Sequence, residues 1–364
     1  MTAHATGIIN NRIGFITLNR AKALNALSLD MIRVITTLLR DWQHDDSVIA
    51  VVIRASSERA FCAGGDIRFF YQVGTASPAG GSALLEDFFT EEYALNHLIH
   101  HYSKPYIAFM DGIVMGGGMG VSQGGASRVR IVTEKTAMAM PEVHIGLFPD
   151  VGGSYFLSRA LGRLGDWLAL TGQTIGAADA LYADLADVAL PAATLPELLS
   201  VLESQPFASG ADVTALIRAY AIPYAVEFKP EAGMLAMNRK AIERHFAHNN
   251  MKAIVASLEG DDSEFSRKTL AYLQRGSPLL LCVTLEQLRR GAGMTVAECL
   301  RMERTMVRHS FEGAEVLEGI RARVIEKDNA PQWSPATLDE VSKEQVEQFF
   351  SPAWPAHAHP LREL

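Results

Sequence analysis

Residues 140–153 read MPEVHIGLFPDVGG and place two carboxylates, Glu142 and Asp150, among apolar side chains with only His144 as polar company. A charge in such surroundings is costly unless it is paired or used. On one continuous helix the two would be separated by about 12 Å of rise, too far to meet at one reacting group. Pro149 and Gly152-Gly153 argue against that helix, so the chain must bend between the acids. A bend lets both reach a single cavity lined by Ile145, Leu147 and Phe148. A carboxyl there has a raised pKa and can serve as base, acid or nucleophile. The same residues also fit a helix-capping Glu142 and a turn-forming Asp150, each satisfied by backbone amides. The pattern leaves both open.

Two glycine-rich turns accompany this stretch, AFCAGGDI at 60–67 and MGGGMG at 115–120. Glycine lets a ligand approach backbone N–H groups closely, and two amides aimed at one point would stabilise an oxyanion. Tight turns between closely packed backbones would use the same residues. A dinucleotide G-x-G-x-x-G begun at Gly116 fails because its sixth position is Val121, and no Gly-Lys-Ser/Thr supplies a phosphate loop. Gly120 to Gly124 does match G-x-S-x-G, the nucleophile elbow, around Ser122. That elbow sits directly between strand and helix, whereas here MGGGM intervenes and places Ser122 inside a helix beginning near Gly117. Ser122 is therefore read as a packing serine. His97, His100 and His101 share a helix with no carboxylate at metal-ligand spacing and are read as solvated or capping residues. Glu91-Glu92, before that helix's apolar stripe, fit first-turn acids favoured by the helix dipole.

The elements that must position these groups alternate. Residues 7–19 predict a β-hairpin with Asn10-Asn11 near its turn. Ser28 or Asp30 caps a helix whose stripe is Met31, Val34, Ile35, Leu38, Leu39 and Trp42. Apolar runs at 48–56, 106–115 and 128–140 predict buried strands, the last with a turn at Glu134-Lys135. Residues 84–103 and 154–172 predict helices, the second ending on a glycine cap at Gly172. This α/β layer gives way to helices after about residue 190, with a linker near 203–213. The expected division is a catalytic core at 1–200 and a mainly helical region at 201–364. The proline-containing tail from Ser351 predicts a loosely packed end.

The 364 residues are 48% hydrophobic and 20% charged, which suits a globular fold. A formal charge of −8 disfavours general nucleic-acid binding, though not a local basic patch. Cys62, Cys282 and Cys299 lack metal-ligand spacing and fit reduced thiols. The first twenty residues lack the basic-then-apolar order of a secretory signal, and no window has the length of a membrane span. The expectation is a soluble, cytoplasmic protein with no nucleic-acid or membrane partner.

Taken together, NRAKALNALSLDM, AFCAGGDI, DGIVMGGGMG and AMPEVHIGLFPDVGG resemble the crotonase (enoyl-CoA hydratase/isomerase) superfamily, in order and spacing over most of residues 8–190. The resemblance implies a spiral of ββα turns, assembly into homo-oligomers, and an acyl-CoA substrate that brings CoA with it, with no separate cofactor or metal. It also implies that two backbone amides hold the thioester oxygen, at positions that fall here on Gly65 and Gly117. Within the superfamily the chain is similar to the 3-hydroxyisobutyryl-CoA hydrolase branch. FF-x-EEY-x-LN is matched by Phe88 to Asn96, and the C-terminal SPLLLCVTLEQL and EGIRARVIEKDNAPQWSP are similar too. Hydratases carry one catalytic glutamate in the glycine turn and a second after the later proline. Here the first position is Gly120 and the second is Glu142.

Carried over, the resemblance makes Glu142 the main catalytic carboxylate and Asp150 its partner, orienting a substrate hydroxyl or a water. Glu92 and Gly117 become substrate contacts. Lys22 becomes a candidate for the CoA phosphates, with Gly65, Asp66 and Ile67 along the CoA. Whether Glu142 activates water or attacks directly stays open. The chain departs from its relatives at Ala21, where many have proline, and in QGGASRVRIVT, about two residues longer than usual. The expected reaction is hydrolysis of a short 3-hydroxyacyl-CoA. Two rivals are an enoyl-CoA hydratase or isomerase using Glu142 alone, and a non-catalytic acyl-CoA binder.

Overall fold

A computed structural model describes residues 3–77 and 81–364. The chain forms two units, each assembled from three segments. Met1–Gly65, Leu95–Met138 and Thr174–Met237 make the first; Asp66–Ala94, Ala139–Gln173 and Asn238–Leu364 make the second.

The first unit begins with the expected hairpin. Strands β1 (Ala5–Asn10) and β2 (Ile13–Leu18) pair antiparallel, Asn10 opposite Ile13. Asn11 and Arg12 both take positive φ, 49° and 63°, the two-residue loop whose twist suits a hairpin. The helix Leu29–Gln43 follows, with Ser28 Oγ accepting from Met31 N at 3.3 Å. Its buried face is Met31, Ile32, Ile35, Leu39 and Trp42. Val34, placed on that face by the sequence reading, is 38% exposed. Ile32 takes the inward position instead, three residues before Ile35, and turns Val34 to the flank.

Strands β3 (Ala50–Ala55), β5 (Tyr106–Met110), β7 (Arg128–Val132) and β9 (Val188–Ala189) extend a six-stranded sheet in the order β1-β2-β3-β5-β7-β9. Every pair beyond the hairpin is parallel. A second sheet holds β4 (Ala60–Cys62), β6 (Ile113–Met115) and β8 (Ala137–Ala139). The run 106–115, expected as one strand, is thus two. Asp111-Gly112 breaks it, Gly112 at φ 77°, and β5 and β6 enter different sheets. The same strand–turn–strand step joins β3 to β4 and β7 to β8, which gives the α/β spiral of ββα turns. Phe15, Val52, Ile107 and Val129 of the large sheet pack with Leu198, Leu202, Val213 and Ile217, from the helices Leu195–Ser204 and Gly210–Ala221. Burial among them explains the β-branched runs without alternation.

The second unit is helical. Residues 154–172, expected as one helix, form Gly153–Phe156 and Leu164–Thr171, parted near Gly162 at φ 62°. Gly172 caps the second at φ 58°, as anticipated. The tail from Ser351 is largely exposed, as expected of a loosely packed end, but it is tied down at several points. Arg304 and Arg308 lie over the Trp354 ring at 4.9 and 5.6 Å, Arg301 Nη1 donates to the Leu364 carbonyl at 2.8 Å, and Leu361 is buried. Cationic side chains on the helix Val296–Glu312 gather the tryptophan in a segment that proline content alone marks as irregular. After β9 no further strand occurs among the described residues, and no helix among them is long and apolar enough to cross a membrane.

Candidate functional site

In the second unit the bend expected between Glu142 and Asp150 is present. Glu142 opens a 3-10 turn, Glu142–Ile145, that ends on Gly146 in the left-handed region at φ 70°. This turn is held from later in the chain. A Cβ on Gly146 would collide with the Glu315 carbonyl, and one on Gly319 with the backbone of Ile145. The helix Glu315–Ile320 therefore lies backbone against backbone on the turn that carries Glu142. Ser277 N donates to Val143 O at 3.0 Å. The Glu142 side chain is only 7% exposed, and its Oε2 has no hydrogen-bond partner among the described residues.

Asp150, 5% exposed, does form a turn, but with its backbone: Gly153 N donates to the Asp150 carbonyl at 2.7 Å. Its carboxylate is left for another partner, and Oδ2 accepts from Tyr93 Oη at 2.7 Å. Val151 within that turn has φ 52° and Gly152 φ 91°. A β-branched residue in the left-handed region costs of order 1–3 kcal/mol and persists only where its surroundings fix it. The surroundings are Gln287 and Glu303. Gln287 Nε2 donates to Pro149 O at 2.6 Å and to Ser154 Oγ at 2.8 Å. Glu303 accepts from Gly152 N at 2.7 Å, Ser154 N at 2.9 Å and Ser154 Oγ at 2.6 Å.

A third carboxylate joins the two. Glu92, on the helix Ala83–His100, is 2% exposed, with Oε1 unpartnered among the described residues. Burial first, then the charges of Asp150 and Glu142, holds the Glu92 carboxyl well above the ordinary range. Burial and then Asp150 do the same to Glu142. Asp150 is pushed by burial up to about 6, against the opposing pull of the Tyr93 hydroxyl. Burial lifts Glu303 to about 8, while its three donors favour the charged form. Like charges crowded in an apolar site resist ionising together, so each of these acids holds its proton more tightly than an ordinary carboxyl does. Carboxyls raised in this way are suited to taking up and giving back a proton during a reaction.

The glycine turns lie in the first unit. Leu27 N donates to Gly64 O at 2.7 Å, and Leu27 pairs in parallel with Gly65. Gly64 has φ 105°, and a Cβ there would sit 3.2 Å from Met115 O and 3.6 Å from Gly117 N. Gly118 approaches so closely that a Cβ would strike the Cys62 carbonyl. The two turns are thus in backbone contact, and the amides of Gly65 and Gly117 have no acceptor among the described residues. Gly118→Ala is expected to cost about 1–3 kcal/mol of unfolding free energy, as overpacking does. Urea unfolding followed by circular dichroism measures it, and an unchanged midpoint would refute the close approach.

Ser122 does not fall inside a helix. The helix Gly117–Gly120 is only four residues long, and Ser122 follows it, fully buried, donating to Met119 O at 3.1 Å. Four successive small or flexible positions give the helix too little side-chain packing to continue. Asp66 caps the helix Ile67–Ala76 by accepting from Phe69 N at 3.2 Å; Ile67 opens that helix and Lys22 is exposed. Tyr93, Gln287, Ser154 and Glu303 escaped the sequence reading. Glu303 had a signal: it sits on the i, i+3, i+4 face of Val296, Cys299, Leu300 and Val307, where an acid has no reason to be unless it is bonded.

The model of the enoyl-CoA hydratase/isomerase family matches residues 13–350. Proteins named 3-hydroxyisobutyryl-CoA hydrolase, mitochondrial, are 41% identical in Gallus gallus and 38% identical in Homo sapiens, each covering 93% of this chain and 86% of the relative. The crystal structure of a carnitinyl-CoA dehydratase from Mycobacterium thermoresistibile is 38% identical with a TM-score of 0.89, over 97% of this chain and 98% of that one. An enoyl-CoA hydratase from Rhodobacter sphaeroides 2.4.1 is 37% identical with a TM-score of 0.85, over 96% and 98%.

Proposed function

Since this chain belongs to the enoyl-CoA hydratase/isomerase family, we propose that it hydrolyses a short 3-hydroxyacyl-CoA, with 3-hydroxyisobutyryl-CoA as the leading substrate. The observation that carries this reading is the acid inventory. Glu142 stands in a buried group with Asp150 and Glu92, while the glycine turn offers the buried Gly120 where a hydratase would carry its other glutamate. Addition of water across a double bond needs both acids; cleavage of a thioester needs one base and a leaving group.

In this reading the thioester oxygen takes hydrogen bonds from the amides of Gly65 and Gly117 as charge develops on it. Glu142 either removes a proton from water as that water attacks the carbonyl carbon, or attacks it directly to give a mixed anhydride that water then opens. Either way the C–S bond breaks, CoA leaves as the thiol after taking a proton, and the hydroxy acid is released. Asp150 and Glu92 contact the substrate, Asp150 orienting its 3-hydroxyl or the water. Lys22, Asp66 and Ile67 lie along the CoA, which enters as part of the substrate, with no separate cofactor. Homo-oligomeric assembly, a role in valine breakdown and a cytoplasmic location complete the proposal, the last beside relatives whose names read mitochondrial.

The hydratase and dehydratase names of the two similar crystal structures favour a second reading, lyase chemistry on an enoyl-CoA. Free-thiol release from 3-hydroxyisobutyryl-CoA, 3-hydroxypropionyl-CoA, isobutyryl-CoA and crotonyl-CoA separates the two. Thiol is expected from the hydroxy esters at least about 10-fold faster than from isobutyryl-CoA, the preference that a hydrogen-bonded hydroxyl confers. No thiol, with crotonyl-CoA losing its double-bond absorbance, would return the protein to the lyases.

A further inference from the structure

Asp150 is fixed twice. Tyr93 holds its carboxylate, and a ring of hydrogen bonds holds the backbone on which it stands. The direction of that ring can be read from its donors. Ser154 Oγ receives a hydrogen from Gln287 Nε2, so its own proton points at Glu303 Oε1. The amides of Gly152 and Ser154 point at the same carboxyl, one at each oxygen. Glu303 thus accepts three hydrogen bonds from Gly152 and Ser154, the first and third residues after Val151 with its unfavourable φ, while Gln287 restrains Pro149 on the other side of Asp150. Glu303 is fully buried and bonds to no other side chain than Ser154 among the described residues.

We propose that Glu303 is a positioning residue for substrate selection: by clamping the turn at 150–154 it fixes Asp150 against the substrate's 3-hydroxyl, and so sets the preference for hydroxyacyl over plain acyl thioesters. The inference rests on the thioesterase reading above. A carboxylate that has moved by a fraction of an ångström loses its hydrogen bond to the hydroxyl, whereas an ester without that group loses nothing. Glutamine at 303 keeps the shape but turns an NH2 toward one of the three donors, so the ring cannot close.

The test measures kcat and KM for 3-hydroxyisobutyryl-CoA and isobutyryl-CoA in wild type, Glu303→Gln and Ser154→Ala, with thermal midpoints alongside. In Glu303→Gln, kcat/KM for the hydroxy ester is expected to fall about 30-fold, through a higher KM as well as a lower kcat, against less than about threefold for isobutyryl-CoA. Ser154→Ala keeps both amide donors and is expected to lose about threefold on the hydroxy ester alone. Should Glu303→Gln fail to fold, the same selectivity in Ser154→Ala supports the proposal and its absence overturns it. Equal losses on both esters, or no loss, leave Glu303 a purely structural residue and overturn the proposal while wild-type thiol release stands. A wild type that releases thiol from neither ester removes the functional reading, and this inference with it.

Discussion

Glu142→Gln is expected to lower kcat for thiol release by about 10³-fold, within the range that general acid–base groups contribute. The change removes the proton acceptor and keeps the volume. The Glu142 turn is held by backbone packing with the helix Glu315–Ile320 and by the Ser277 amide, not by its carboxyl, whose Oε2 is unpartnered among the described residues. The thermal midpoint should therefore not fall. Ser122→Ala, by contrast, should stay within about threefold of wild type, since among the described residues its hydroxyl serves only the Met119 carbonyl. Steady-state thiol release on both variants checks the pair. A Glu142→Gln enzyme near wild-type rate, or an inactive Ser122→Ala with a native midpoint, would sink the assignment of Glu142 as the reacting group.

The second large effect concerns stability against pH. Burial raises Asp150 from an ordinary 3.8 to about 6, so the folded state holds this proton more tightly than the unfolded chain. Its favourable contribution is complete below the unfolded value and is lost as pH rises through the folded one. Each unit of displacement corresponds to about 1.4 kcal/mol, which makes the loss about 3 kcal/mol above pH ~7. Asn at 150 carries no such charge and can still accept from the Tyr93 hydroxyl. Asp150→Asn should match wild type near pH ~4 and exceed it by about 2–3 kcal/mol near pH ~8, while losing activity on the hydroxy esters. Urea titrations across that window measure the gap. A gap that does not grow with pH would mean that Asp150 is ionised in the fold at no cost.

Much of the fold could be read from local pattern, and the reasons are local. Asn11 sits where a tight hairpin wants positive φ, Ser28 caps its helix, and Gly172 ends another. Misreadings came where one residue outweighs a run of hydrophobicity. Gly112 splits an apolar stretch into strands of two sheets, and Gly162 divides what looks like one helix. Val34 was misplaced because neighbouring apolar residues on a helix compete for the inward face. At the site, Glu142 and Asp150 stood out as acids in apolar company, and the bend between them followed from Pro149 and the glycines. The partners of that bend were not legible in the same way. Glu303 is 151 residues from Gly152, and Gln287 is 138 from Pro149, so no window of sequence contains both ends of either bond. Only the mismatch of a buried-face position with an acidic side chain pointed toward Glu303.

That separation also fixes an order of events during synthesis. The segment carrying Glu142 and Asp150 leaves the ribosome well before residues 277–319, which hold the two turns in shape. With only the strained Val151 and no clamp, the nascent turn has nothing to keep it in the left-handed region. The chemistry-bearing stretch therefore takes its working form late, after a long loop closes on it. A chain cut short before Glu303 would carry both acids and lack the geometry that makes them a site.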